Sequence, residues 1–500
     1  MSLLGLDIGT TGCKAAVFSL QGELLAGSYE EYDIQRMADG WAELNAQAIW
    51  NTVQNAILSC TQKVKHDPVT ALAVSSLGEA VVPVSVAREI LGSSILNMDI
   101  RGEEYLPVVT QKISNEELYK INGNTIGNQY SLTKLLWIKH HQPDLYHRTY
   151  KFLHWSGFIS FMLGADPVVD YSLANRSLLF DINQRTWSSH LLDLFGIDPE
   201  KLPRVVPSGT IIGQVSRTMS SKLGLRPDTL IIAGAHDQCA NAVGSGVIHE
   251  GQAMFGMGTF FCVAPVYTNR RDTNSMIKLG LNTEHHAIPN AFVSFIYNQG
   301  GSILKWYRDT FAIMDHQLAK QDHADIYARL IEEIPAEPAK VIVLPHFTPT
   351  GPPNFIDSTA GVIVGLYLTT KRGDILKGIM EGTVFYIYQC MRSLEDVNIS
   401  LTSLRAVGGG SKSMKWLQIC SDITGLPIER PANTEAGALG AAIIAGVGSG
   451  LYSSYEEGCK NCITIDSFFS PDLDRHQLYQ VQFSKYQELY PILQDYLKLF

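Results

Sequence analysis

LGLDIGTTGCKAAVF, residues 4–18, runs an apolar strand into an aspartate, a small polar turn and a lysine before a second apolar strand begins. An ionised carboxylate is costly to bury unpaired, so Asp7 at the end of a buried strand needs a partner or a purpose. The turn Gly9-Thr10-Thr11-Gly12 offers closely approachable backbone N–H groups and two hydroxyls, a nest for phosphate oxygens, and Lys14 adds positive charge. Beside phosphates, Asp7 suits Mg²⁺ held through water, because Mg²⁺ keeps much of its hydration. A plain hairpin, with Gly and Thr serving only the turn, reads the same stretch equally well.

Working outward, strands are expected over 3–7, 14–19 and about 24–32. Residues 46–64 space Ile49, Val53, Ile57 and Leu58 at helical intervals, and VTALAVSSL, 69–77, reads as a further buried strand. A hairpin, a third strand, a helix and another strand make a mixed sheet with a helical crossover. The pattern returns at PDTLIIAGAHDQCANAVGSGV, 227–247, where Asp237 ends an apolar strand and small residues follow. A carboxylate there can take the proton of an attacking hydroxyl, with a helix N-cap as the bland alternative. FGMGTFF, 255–261, puts Gly258 and Thr259 in another strand turn suited to phosphate. Gly408, Gly409 and Gly410 then lie between the strand LRAV and a helix, leaving backbone exposed for a base, ribose or phosphate. The glycines lack the GxGxxG order of a dinucleotide site. Strands near 252–263 and 292–297, a helix over 373–396 and the helix AGALGAAIIAGV complete the second half.

A chain of 500 residues exceeds what one hydrophobic core usually serves, so two domains are expected, with a boundary near residue 248. With 45% hydrophobic and 18% charged residues it is globular. A net charge of −10 without a basic run argues against nucleic acid or an anionic membrane as partner, so any phosphate must be held locally. No apolar run approaches the roughly 20 residues that span a bilayer, and the N-terminus enters LLGLDIGTT directly, so a cytoplasmic protein is expected. Cys459 and Cys462 share a CxxC spacing without a second pair or ligand-spaced histidines, which favours reduced thiols over zinc. The HH doublets at 140–141 and 285–286 read as surface or satisfied core residues, and Trp306, Tyr307 and Trp416 as core.

Four strand-then-glycine elements in this order carry a resemblance over nearly the whole chain, from LGLDIGTTGCK through DPVVDYSLANRSLLFDI and AGAHDQ to EAGALGAA. The chain resembles the FGGY family of carbohydrate kinases, in the actin-like ATPase superfamily with hexokinase and Hsp70. YSLTKLLWI is similar to the first family signature. GVIVGLYLTTKRGDILKGIMEG is similar to the second, with Gly378 in place of the usual Ala or Ser. The resemblance implies an α/β fold of two actin-like (ribonuclease H-like) domains, each a mixed sheet flanked by helices, with a cleft between them. Residues 1–248 would bind the sugar and supply the base, and 249–500 would bind the nucleotide.

The resemblance also implies roles, with ATP and Mg²⁺ as cofactors. Asp237 is the general base, Asp7 positions Mg²⁺, and Thr10, Thr11 and Lys14 contact the transferring phosphate. Gly258 and Thr259 contact the nucleotide phosphates, and Gly409, Gly410 and Ser413 the nucleoside. Glu79, Asp99, Arg101 and Gln238 are the sugar-side candidates. Where xylulokinases usually carry Gln-Met-His-Gly and glycerol kinases Arg-Glu, this chain has Gly78-Glu79, and Gln129 replaces a substrate tyrosine of glycerol kinases. The expected function is an ATP-dependent kinase of a small sugar, an open-chain ketose such as xylulose. A kinase of glycerol-like or erythritol-like polyols, or an actin-like ATPase or sugar sensor without kinase activity, are the alternatives. A homodimer is left open.

Overall fold

The computed structural model describes residues 1–356 and 358–500. Its first sheet has six strands, ordered Ile211–Gln214, Leu230–His236, Val69–Ser76, Ser2–Ile8, Gly12–Ser19 and Leu24–Glu31. The three central strands run parallel, and the hairpin that follows Ser2–Ile8 is antiparallel. Ser2–Ile8 is buried on both faces, as a strand covered on each side by helices must be. Leu24–Glu31 is largely exposed and ends in polar residues, which suits a sheet edge. The helix Ala46–Thr61 buries Ile49, Trp50, Val53 and Ile57, and Asn45 caps it by accepting from the Ala48 N–H.

The second sheet is ordered Glu284–His285, Phe292–Val293, Phe260–Tyr267, Gln252–Met257, Ser403–Val407, Ile428–Pro431 and Ile465–Phe469, with Ile296–Gln299 also pairing Phe260–Tyr267. The expected strand at 252–263 is thus two antiparallel strands around the Gly258-Thr259 turn. The expected 373–396 helix is Arg372–Arg392 followed by a separate short turn Glu395–Val397. Tyr307 and Trp416 lie in the core of this half, and Trp306 packs against it. All eight cysteines, Cys459 and Cys462 included, are free and buried. Among the described residues no helix is long and apolar enough to cross a membrane.

The helix Ala436–Gly448 lies in sequence between two strands of the second sheet, Ile428–Pro431 and Ile465–Phe469, yet packs against the first sheet. A side chain on Gly5 would run into Ala438 O, one on Gly440 into Ala240 O, and one on Gly244 into Ala436 O. The small-residue run AGALGAA therefore brings helix backbone directly against the strand Ser2–Ile8 and against the crossing helix Asp237–Gly244.

Candidate active site

Register puts the site together. Asp7 sits opposite Ser75, and Ser75 opposite Ala235, so three parallel strands end side by side. Asp7, Ser75 and Asp237 crowd the carboxyl edge of the sheet, where open α/β sheets bind ligands. Asp237 is the first residue of its helix, one step beyond the strand Leu230–His236, rather than its N-cap.

Asp7 accepts a hydrogen bond from Ser75 Oγ at 2.9 Å on Oδ1. Its other oxygen faces Gly437, where a Cβ would stand 2.5 Å from Oδ2. Glycine at 437 keeps that oxygen open. Burial raises the Asp7 pKa, more than Ser75 and Lys14 lower it. The turn beyond is fixed by Gly9 N–H donating to Gly12 O at 2.9 Å and by the Tyr32 hydroxyl donating to Gly9 O at 2.6 Å. Thr10 is half-buried and Thr11 exposed. Lys14, expected to meet phosphate, is ion-paired with Glu435, the residue before the helix Ala436–Gly448. Sequence reading did not single out Glu435 because its partner is 421 positions away.

Asp237 differs. His236 Nε2 lies 3.1 Å from Asp237 Oδ1 without hydrogen-bond geometry, and among the described residues Oδ1 is buried and unpartnered. Burial, then the nearby Asp7 charge, push its pKa up to about 7, against the opposing pull of Gln238 and Arg176. Burial and the cationic Arg176 hold His236 well below its usual range, so the imidazole is neutral. A carboxylate titrating near neutrality with a free oxygen is suited to accept a proton from a hydroxyl.

Beside it, Arg176 bridges two carboxylates. Its guanidinium pairs with Glu79 and, at 2.7 Å, with Glu284, whose side chains are 6% and 1% exposed. Asn282 Nδ2 also donates to Glu284, at 2.6 Å. Among the described residues, Arg176 Nε and Glu284 Oε2 have no partner. A cleft here is lined by Gln129, Tyr130, Arg176, Asn282, Phe295 and Tyr297, among others. Glu79 was expected from sequence. Arg176 and Glu284 were missed, although Arg176 is the one cation in YSLANRSLLFDI, because 97 and 108 residues separate it from its partners.

Asp99 and Arg101 are turned to one another. Arg101 Nη2 donates to Asp99 Oδ2 at 2.6 Å, and Asp99 also accepts from the backbone N–H groups of Ala42 and Arg101. The guanidinium reaches Glu43 at 3.0 Å and lies 4.2 Å from the Trp41 ring centroid. The pair is buried and does not line the cleft. It braces the wall, since Lys134 Nζ donates to the carbonyls of both residues at 2.7 Å.

On the second sheet the turn 258–259 and the glycines 408–410 pack together. A Cβ on Gly410 would stand 3.0 Å from Met257 O, and one on Gly408 3.4 Å from Gly258 N. Gly408 has φ +89°, which favours glycine. Gly409 has open space where a side chain would be. Gly258 and Thr259 carbonyls accept from Gly301 and Ser302 at the start of the helix Gly301–Phe311. The Ser413 hydroxyl, expected at a nucleoside, caps the helix Met414–Thr424 by accepting from Trp416 N–H at 3.2 Å.

Comparison with known proteins covers the same ground. Residues 2–244 match the N-terminal domain, and residues 277–449 the C-terminal domain, of the FGGY family of carbohydrate kinases. The xylulose kinase of Bacillus subtilis (strain 168) is 25% identical, covering 99% of this chain and 97% of that protein. The autoinducer-2 kinase of Escherichia coli (strain K12) is 28% identical, covering 99% and 95%. Among solved structures, a ligand-bound xylulose kinase from Lactobacillus acidophilus superposes with TM-score 0.87 at 23% identity, covering 98% of each chain. Plasmodium falciparum glycerol kinase with ADP gives 0.85 at 21%, covering 97% of each. These two share the two-domain actin-like fold.

Proposed function

We propose, from the premise that the chain belongs to the FGGY family of carbohydrate kinases and is a sugar phosphotransferase, that its acceptor is an open-chain ketose such as xylulose and that Asp237 is the general base. The observation that carries the reading is the unpartnered, buried Oδ1 of Asp237 at the carboxyl edge of the parallel strands. It would take the proton of the acceptor hydroxyl as that oxygen attacks the γ-phosphate of ATP; the proton goes to the carboxylate and ADP leaves. Phosphoryl transfer asks mainly for positioning and charge stabilisation, which the remaining residues supply.

Mg²⁺ would neutralise phosphate charge, and Asp7 fits it: Oδ1 is held by Ser75 while Oδ2 faces the space that Gly437 leaves free. Among the described residues no group of three or more His, Cys, Asp or Glu could enclose a metal, which suits an ion carried by phosphates and water. Thr10, Thr11 and Lys14 line the first sheet's side of the phosphate path. Gly258, Thr259, Gly409 and Gly410 form the second side, with a lobe boundary near residue 248. Lys14 reaches phosphate by leaving Glu435.

Arg176, Glu79, Glu284 and Gln238 would contact the sugar. With Arg176 already balanced by two carboxylates, the wall favours neutral polyhydroxyl acceptors over acidic ones. The 28% identity to kinases named for autoinducer-2 adds that compound as a second acceptor. The test is ADP release from Mg·ATP with a panel of xylulose, other ketoses, glycerol, erythritol and autoinducer-2. Acceptor-dependent turnover with a ketose is expected. ATP hydrolysis indifferent to every acceptor overturns the kinase reading, and turnover with a polyol alone overturns the ketose.

A further inference from the structure

A second cavity, of about 420 Å³, is lined by Tyr171, Arg185, Ser208, Thr210, His286 and Asn290, among others. None of the catalytic or acceptor residues lines it, and among the described residues no carboxylate does. It takes in one of the histidine doublets for which phosphoryl transfer has no use.

His286 is the informative group. It is 3% exposed, and its Nδ1 accepts from the Ile288 N–H at 3.1 Å, which leaves the proton on Nε2. Burial keeps the ring neutral. Nε2 is therefore a buried donor, and among the described residues it has no partner. A buried donor left unpaired is costly, so this one calls for an acceptor. Arg185 supplies charge: it is exposed, and its Nη2 holds Asn290 Oδ1 at 3.1 Å across the loop 286–290. A fixed N–H donor, a guanidinium and an absence of carboxylates make an anion site. The space exceeds that of a bare tetraoxyanion and leaves room for a small organic group.

We propose that this cavity binds a small phosphate monoester, with Arg185 on the phosphate charge and His286 Nε2–H donating to one of its oxygens. Occupancy is coupled to the acceptor wall by short covalent links. His285, adjoining His286, donates its backbone N–H to Asn175 Oδ1 at 3.0 Å, and the chain neighbours of these two residues are Glu284 and Arg176, the buried ion pair. A ligand that draws on the 285–290 loop thus acts on the residues facing the sugar.

The test is equilibrium binding to the intact protein, without ATP, of a pentose 5-phosphate and, separately, of inorganic phosphate. It is independent of phosphoryl transfer. Wild type is expected to bind the ester more tightly than phosphate. Arg185→Gln, an exposed change, should weaken the ester by about tenfold or more, as loss of a charge-assisted hydrogen bond requires. His286→Phe should do the same, while His286→Gln, which returns an N–H donor near Nε2, should retain more of the binding. Asp237→Ala should leave ester binding unchanged. Wild-type affinity in Arg185→Gln, binding lost in Asp237→Ala, tighter binding of inorganic phosphate than of the ester, or no binding at millimolar ester each overturn the proposal. If His286→Phe does not fold, Arg185→Gln decides.

Discussion

Replacing Asp237 with asparagine should abolish most activity and at the same time stabilise the protein above neutral pH. The native carboxyl titrates at about 7 against an ordinary 3.8, with burial the larger cause and Asp7 the next. At 1.36 kcal/mol per pKa unit, the ionised native form carries a penalty of up to ~4 kcal/mol. The side chain is 26% exposed, so solvent screening brings the expected figure nearer ~2 kcal/mol. The sign follows from proton binding. Between about pH 4 and pH 7 the unfolded carboxyl has lost its proton while the native one keeps it, so this group's contribution to stability falls as pH rises through that window and is flat above it. Asparagine does not titrate. The mutant's urea midpoint should match wild type near pH 4 and exceed it near pH 8, while kcat/KM drops by about 10²–10⁴ from loss of the base. Wild-type kcat/KM should itself rise with pH to a midpoint near 7. Equal stability at both pH values would show that Asp237 does not carry a buried charge, and undiminished turnover would show that it is not the base.

Arg176→Met leaves Glu79 and Glu284 buried without their cation and should destabilise the protein by about 3–5 kcal/mol, measured by urea unfolding near neutral pH. Gly440→Ala drives a methyl into Ala240 O, backbone against backbone, and should cost about 1–3 kcal/mol in the same assay. Lys14→Met removes a half-buried pair with Glu435 and should change stability by less than about 1 kcal/mol while raising the KM for ATP several-fold, a split that a purely structural lysine would not give.

Much of the secondary structure is written in short stretches of the chain. The apolar runs before Asp7 and Asp237, the glycines at 258 and 408–410, and the small-residue run at 436–442 are local patterns; Asp7 lies in its expected strand and the run at 436–442 in its expected helix, while Asp237 opens a helix one step beyond its strand. Burial cost explains why such carboxylates stand out from a string of letters. Tertiary structure decided what those groups touch. That Arg176 ties Glu79 to Glu284, that Glu435 holds Lys14, and that Asp99 and Arg101 satisfy each other rather than face the cleft depends on side chains meeting across the fold. Asp237 shows the division most plainly: the sequence placed it at the end of a strand, but its pKa is pushed up to about 7 by burial and by the Asp7 charge that the fold brings near, against the pull of Gln238 and Arg176. Local propensity fixes where the chain extends or turns, whereas desolvation and Coulomb interactions depend on distances that only the assembled sheets and their crossing helices set.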